Sequence, residues 1–257
     1  MTILILGGGA LGVQAVMLAK AAGFHVILAD KNAACPAKAL ADEFLNIDVT
    51  KTALPKADLV LPATESQAVL DVLPAEKTLF DLAAWNKTAS RLTADEYLRS
   101  IDIPIPEYFP RGSEPYLVKP DRGSFGIGIW VTEDFCEVGG AVNAGYVTQE
   151  ELDGPVWSQV VVGKPGDYAV CAPAKLSFDG RHRTGAACLP AAEPEALAET
   201  AVKIAESLGL SGILEVEAIF HRGVWKVIDL NARLPMYTGE ALLETGINLL
   251  GELVARV

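Results

Sequence analysis

The stretch GILEVEAIFHRGVWKVIDLNARLP (212–235) constrains this chain more than any other. Its residues alternate with the two-residue period of a β-strand and are interrupted once, at His221-Arg222-Gly223, so it reads as an antiparallel hairpin. In the first strand Ile213, Glu215, Glu217 and Ile219 share one face, while Leu214, Val216, Ala218 and Phe220 form an apolar core face. In the second, Trp225, Val227, Asp229, Asn231 and Arg233 share one face, and Ile228, Leu230 and Ala232 the other. A three-residue loop ending on glycine pairs Phe220 with Val224. That register sets Glu215 opposite Asp229, with Glu217 on the diagonal. Like charges placed opposite each other destabilise a sheet. A divalent cation relieves the conflict, and an all-oxygen donor set suits Mg²⁺. The competing reading is a solvated face whose acids are simply polar, and a one-residue slip would carry one strand's carboxylates to the other side.

The first eighty residues impose a different order. Residues 3–6 form a strand, Gly7-Gly8-Gly9 a tight turn, and Leu11, Ala15, Leu18 and Ala22 repeat at helical spacing up to Gly23. Strands at 25–29 and 58–61 follow. Thr64-Glu65-Ser66-Gln67 then has the spacing of a capping box. This β-α-β order implies a parallel sheet with helices on its faces. Farther on, 86–99 is predicted helical, IDIPIPEYFP (101–110) is an extended connector, and DRGSFGIG (121–128) is a glycine-rich loop. Strands are expected at 116–119, 129–132, 146–149 and 156–162, and an amphipathic helix at 195–208. The expected fold class is α/β, passing to α+β in the C-terminal part. The changes of pattern divide the chain into 1–82, 83–145 and 146–257.

Composition narrows the function. The 257 residues are 51% hydrophobic, enough for a core without disulfides. There are 33 acidic residues against 21 basic ones, a net charge of −12 that repels a polyanion, so no nucleic-acid partner is expected. A small basic site for one nucleotide remains compatible with it. Cys35, Cys136, Cys171 and Cys188 are far apart with no CxxC pair, which argues against zinc and suits a reducing cytosol. The opening apolar run is four residues long and lacks a basic leader, so it is not read as a secretory signal. No run approaches the roughly 18–20 apolar residues of a membrane span. The expectation is a cytoplasmic protein with no membrane partner.

The spacing of twelve from Glu217 to Asp229-Leu-Asn231-Ala-Arg233 resembles the metal-binding ending of the ATP-grasp superfamily, E…E-x-N-x-R. Upstream, Lys87 in AWNKTASR resembles the first ATP lysine and Lys119 in YLVKP the second. DRGSFGIG resembles the phosphate-covering loop, and TQEELDGPVWS the strand and hinge that hold adenine. The likeness covers most of the chain. It implies an ATP-grasp fold with an N-terminal Rossmann-like βαβ lobe, acting as an ADP-forming carboxylate–amine ligase with ATP and one or two Mg²⁺ ions. It implies ATP contacts from Lys87, Lys119, Ser124, Gln149, Glu150 and the Leu152 backbone, and metal ligation by Glu217, Asp229 and Asn231. Arg233 would stabilise an acyl phosphate and the oxyanion that follows it. Gly9, Ala10, Leu11 and Glu65 would face a small-molecule amino-acid substrate, and a homodimer is compatible with the likeness. Within the superfamily, segments 27–44, 154–168 and 228–250 most resemble the ligases of pyrrolysine biosynthesis, which join 3-methylornithine to the side-chain amine of lysine.

Several positions depart from the family pattern. Asp229 replaces a glutamate, and Val156 stands where several relatives carry an acid for the ribose hydroxyls. The basic residue of the strand after the hinge aligns with Arg181 or Arg183 only after a shift. The chain ends at Val257, earlier than such ligases. Two other readings stay open. One is a non-catalytic ATP-binding protein of the same fold. The other is an NAD(P)-dependent oxidoreductase, because Gly7-x-Gly9-x-x-Gly12 follows a strand and Asp30 closes the next. Taken alone, Lys119 before Pro120 reads as an ordinary surface lysine, a preference that the motif context reverses, and the rival reading of Glu65 is a first-turn acid complementing a helix dipole.

Overall fold

The N-terminal segment follows its apolar pattern. In the computed structural model, which describes residues 1–109, 115–123, 126–189 and 195–257, β1 (Thr2–Leu6), α1 (Ala10–Ala21) and β2 (His25–Ala29) come first. With β3 (Glu43–Leu45) and β4 (Leu59–Pro62) they build a parallel sheet in the order β3-β2-β1-β4. β1 is apolar from Ile3 to Leu6 because both its faces are covered there. Ile3 and Ile5 pack toward α1, and Leu4 and Leu6 pack with Val49 and Val60. Gly7 turns at φ +104°, and a Cβ on Gly12 would run into the Gly7 carbonyl oxygen. Gly12→Ala is therefore expected to destabilise the fold by about 2–3 kcal/mol through overpacking. Gly9→Ala, whose Cβ meets nothing within 4 Å, should cost under about 1 kcal/mol. Urea titration of both variants checks the contrast.

The expected capping box does not form. α2 (Gln67–Leu70) takes Ser66 as its N-cap, so Thr64 lies outside the first turn and its Oγ1 accepts from the Ser66 N–H at 3.2 Å. Gln67 donates instead to Asp71 Oδ1 at 2.8 Å. The single helix expected over 86–99 is two, α3 (Leu82–Thr88) and α4 (Arg91–Ser100). Ser90 is the reason: its Oγ accepts from the Thr93 N–H at 3.3 Å, an N-cap that starts a new helix inside the helical pattern.

Three antiparallel strands, β5 (Tyr116–Pro120), β6 (Trp130–Thr132) and β7 (Tyr146–Glu150), form a small sheet in the order β6-β5-β7, with α5 (Phe135–Asn143) on it. Gly139 and Gly140 hid α5 from propensity. A boundary at 145/146 separates β7 from β5, although the two pair from Tyr116↔Glu150 to Pro120↔Tyr146.

The large antiparallel sheet comprises, among the described residues, β8 (Val156–Lys164), β9 (Asp167–Asp179), β10 (His182–Cys188), β11 (Gly212–His221) and β12 (Val224–Asn231), in the order β10-β9-β8-β11-β12. The β9–β10 hairpin was not expected, and a register shift between Arg183 and Gly185 breaks its alternation. α6 (Glu195–Leu208), α3 and α4 cover one face, with Leu197, Ala201 and Ile204 against Val161, Leu214 and Val216. The other face meets α1, α7 (Thr238–Thr245) and α8 (Leu249–Val254), with Leu249, Leu250 and Leu253 against Val160, Val162 and Cys171. Gln14 Oε1 accepts from the Gly239 N–H at 2.6 Å and ties α1 to α7. No helix among the described residues is long and apolar enough to cross a membrane.

The β11–β12 register differs from the sequence expectation. Arg222 and Gly223 both have positive φ, +49° and +88°, the requirement of a two-residue type I′ turn, and His221 pairs with Val224. That turn alone would set Glu217 opposite Ile228. A bulge at Ile228 shifts the pairing so that Glu217 faces Asp229 and Glu215 faces Asn231. Val227 joins Leu230 and Ala232 in the helix-covered core, and Ile228 lines the opposite side. The shared face expected for Val227 and Asp229 is thus replaced.

Candidate active site

A cavity of about 320 Å³ opens between the small and large sheets, which the segment 151–155 joins. Its walls carry Lys119 from β5, Gln149 from β7, Arg183 from β10, and Glu217, Asp229 and Asn231 from the hairpin. Lys119 is 4% exposed and donates to the Ile228 carbonyl at 3.0 Å. Burial, aided by the neighbouring Arg91, pushes its pKa down to about 8 against the attraction of Asp229, Asp95 and Glu217.

Acids and cations interleave on the floor. Glu215 is fully buried and accepts from Ser158 Oγ at 3.1 Å, Asn231 Nδ2 at 3.3 Å and Arg183 at 3.4 Å. Arg183 also reaches Glu217 Oε1 at 3.1 Å and lies 5.0 Å over the Tyr237 ring. Burial opposes the Arg183 charge, but Glu215 and Glu217 outweigh it and hold that pKa up. Burial and the adjacent Glu215 lift Glu217 well above the usual carboxylate range despite Arg183. Asp229 Oδ2 accepts from Arg91 at 3.1 Å. Arg233 Nε donates to Glu65 Oε1 at 2.7 Å, and its Nη1 lies 3.7 Å from Glu215 Oε2.

The conflict of like charges expected on this hairpin is therefore met by arginines from other elements. Among the described residues no three Asp, Glu, His or Cys side chains cluster closely enough to hold a metal by themselves. Glu217 and Asp229 nonetheless face each other directly, and Asn231 follows two residues along β12. These oxygen donors fit a hard cation whose shell is completed by phosphate oxygens. The raised Glu217 pKa marks where further positive charge would be stabilising.

Lys119, Gln149, Glu150, Leu152, Glu217, Asp229, Asn231 and Arg233 all line the cleft. Gln149 is buried and donates Nε2 to Asp95 Oδ2 at 2.6 Å, while its Oε1 has no partner. Glu150 is paired with Lys226 and accepts from the Glu107 N–H at 2.8 Å. Val156 adds an apolar wall. Lys87 must be corrected: it is exposed near the end of α3, with Nζ 5.7 Å from the Tyr97 ring centroid, and does not line the cleft. The break at Ser90 leaves Lys87 on the far helix and brings Arg91, the first residue of α4, into the wall. Gly9, Ala10 and Leu11 lie at the start of α1, outside the cleft lining. Glu65 is not among the residues that line the cleft and is tied to it by its bond to Arg233. Ser124 lies outside the described residues. Arg91 and Asp95 were missed, and the N-cap signal of Ser90 could have separated Arg91 from the preceding helix. Asp30, the acid of the dinucleotide reading, is committed locally: its Oδ2 accepts from the Gly8 N–H at 2.6 Å and its Oδ1 from the Asn32 N–H at 2.7 Å.

Comparisons with known proteins agree with this architecture. The family model of the ATP-grasp domain matches residues 88–236. The 3-methyl-D-ornithine–L-lysine ligase of Methanosarcina acetivorans is 32% identical over 264 residues, covering 97% of this chain and 71% of that protein. Among solved structures, N5-carboxyaminoimidazole synthetase from Staphylococcus aureus complexed with ADP superposes with a TM-score of 0.76 at 18% identity, over 98% of this chain and 77% of that one. The L-amino acid ligase from Bacillus licheniformis gives 0.69 at 16% identity, over 98% and 73%. The domain match spans more than half of the sequence and contains both sheets that wall the cleft: the chain belongs to the ATP-grasp family.

Proposed function

We propose that this protein is an ATP-dependent, ADP-forming ligase that joins an ornithine-like amino-acid carboxylate to the side-chain amine of lysine. The observation that carries the reading is the convergence of Lys119, Arg183 and Arg233 with Glu217 and Asp229 in one cleft of a chain whose net charge is −12. The name of the Methanosarcina relative supports the choice of substrates. The γ-phosphoryl group passes to a carboxylate oxygen, releasing ADP. The amine then attacks the acyl phosphate carbon, loses a proton and expels phosphate. Phosphoryl transfer needs charge neutralisation and alignment more than covalent help. Lys119 neutralises the polyphosphate, and its depressed pKa means that an anionic ligand restores its full charge. Arg233 stabilises the charge that develops at the acyl centre. Glu217, Asp229 and Asn231 would hold Mg²⁺, which supplies charge neutralisation at the phosphate oxygens. Gln149, Glu150 and the Leu152 backbone line the adenine end. Glu65, beside Arg233, binds the substrate amine. We place the reaction in the cytoplasm, where ATP and free amino acids occur together.

The test is ADP and phosphate release with Mg-ATP and L-lysine, with and without D-ornithine, followed by mass spectrometry. ADP release that needs both amino acids, with a product equal to their sum less one water, is the expected result. ADP release independent of the amine would overturn the ligase reading.

A further inference from the structure

Arg91 is a cleft residue that the reaction above leaves without a role. It is 9% exposed and is the first residue of α4. Its Nη1 donates to the Pro120 carbonyl at 2.7 Å, and its Nη2 to the Gly123 carbonyl at 3.0 Å and to Asp229 Oδ2 at 3.1 Å. Its Nε is buried and has no partner. The helix start itself is fastened to the same segment, because Asp121 Oδ1 accepts from Ser90 Oγ at 2.8 Å and from the Leu92 N–H at 2.9 Å. One guanidinium thus joins the first residues of the glycine-rich segment to a carboxylate of the hairpin.

We infer that Arg91 is a built-in countercation. It neutralises Asp229 while the cleft holds no ligand, gives that carboxylate up to an incoming divalent cation, and then turns its freed donors to the phosphates. The inference rests on the assignment of Asp229 to the metal. Three physical points support it. A partly buried carboxylate needs a positive partner, and Arg91 is the cation bonded to this one. A carboxylate oxygen held by a guanidinium is not free to coordinate, so the two cations compete. Exchange frees an Nη2 N–H beside the already unpartnered Nε in a buried wall, and phosphate oxygens are the strong acceptors the nucleotide brings. The carbonyls of Pro120 and Gly123 keep the guanidinium in place throughout, so the switch is one of partners rather than of position.

Competition gives opposite signs to two readouts. Mn²⁺ is titrated without nucleotide, with free Mn²⁺ followed by electron paramagnetic resonance, and ADP release is measured separately. Arg91→Gln should bind Mn²⁺ about three- to tenfold more tightly, because its competitor is gone, and yet release ADP about 100-fold more slowly. Arg91→Lys keeps the charge and should hold Mn²⁺ within about twofold of wild type while recovering part of the turnover. Arg181→Gln makes the same change of net charge but frees Glu151 rather than Asp229, and should leave Mn²⁺ affinity within about twofold. Unchanged or weaker Mn²⁺ binding in Arg91→Gln overturns the inference, as does equal tightening in Arg181→Gln. If neither wild type nor Arg91→Gln binds Mn²⁺ without nucleotide, the exchange is overturned; if neither binds it with ADP present, the metal assignment falls as well. Bound Mn²⁺ with no difference between the variants sinks the exchange alone.

Discussion

Lys119→Met should slow ADP release by about two to three orders of magnitude and at the same time make the ligand-free protein more stable at neutral pH. The first effect follows from removing a positive charge held against the phosphates in a low-dielectric wall. The second comes from the folded state itself. Burial has brought the lysine down from 10.5 to about 8, a penalty on the charged form of order 3 kcal/mol. Losing the amine leaves the Ile228 carbonyl without its donor, at about 1–2 kcal/mol. The balance favours methionine by about 1–2 kcal/mol, a rise of a few degrees in Tm for a chain of this size. The sign of the pH dependence is also set. Between about pH 8 and 10.5 the unfolded chain holds a proton on this lysine that the folded one has lost, so wild-type stability rises with pH across that window relative to the variant. Denaturant titrations at pH 7 and pH 9.5 should show the gap narrowing. A gap independent of pH would mean that the amine is not strained by its burial.

Glu217→Gln is the second large effect. The amide keeps the shape of the side chain and removes the charge that burial and Glu215 oppose. Without divalent cations the variant should melt a few degrees above wild type, because burial of the charge, together with the repulsion of Glu215 and Asp229, weighs more than the 3.1 Å contact to Arg183. Turnover should fall about 1,000-fold, as expected when a charged group of the transfer site is lost. Differential scanning fluorimetry separates the two: Mg-ATP should raise the melting temperature of wild type and move that of Glu217→Gln little. A variant that melts lower than wild type would show that Arg183 dominates the charge balance of the floor.

Much of the fold was legible because local pattern and tertiary role coincide. β1 is apolar from Ile3 to Leu6 because it is covered on both faces there, and α6 carries its helical stripe because one side meets the sheet. Both features report burial, which depends on residue type. Errors arose where two local signals compete. Residues 86–99 have helical composition, but Ser90 offers a cap in their middle, and the cap prevails once Asp121 accepts from its hydroxyl. Gly139 and Gly140 lower helix propensity, yet α5 forms because Val138 and Ala141 bury against the small sheet.

The candidate site shows the same division more sharply. Sequence alone determined which residue types the hairpin offers, and the spacing that keeps Glu217, Asp229 and Asn231 together, since both are properties of one contiguous segment. It also placed Lys119 at a strand end and the hinge after Gln149. Only the tertiary structure decided the register, because the bulge at Ile228 and the positive φ of Arg222 depend on the packing of β12 against β11 and the helices. It alone decided that Arg91 stands in the wall and Lys87 does not, and that Arg183 separates two glutamates rather than facing water. Those charges come from segments more than thirty residues apart along the chain. Their meeting depends on how three sheets and their helices stack, and no local pattern encodes the partner of a charge.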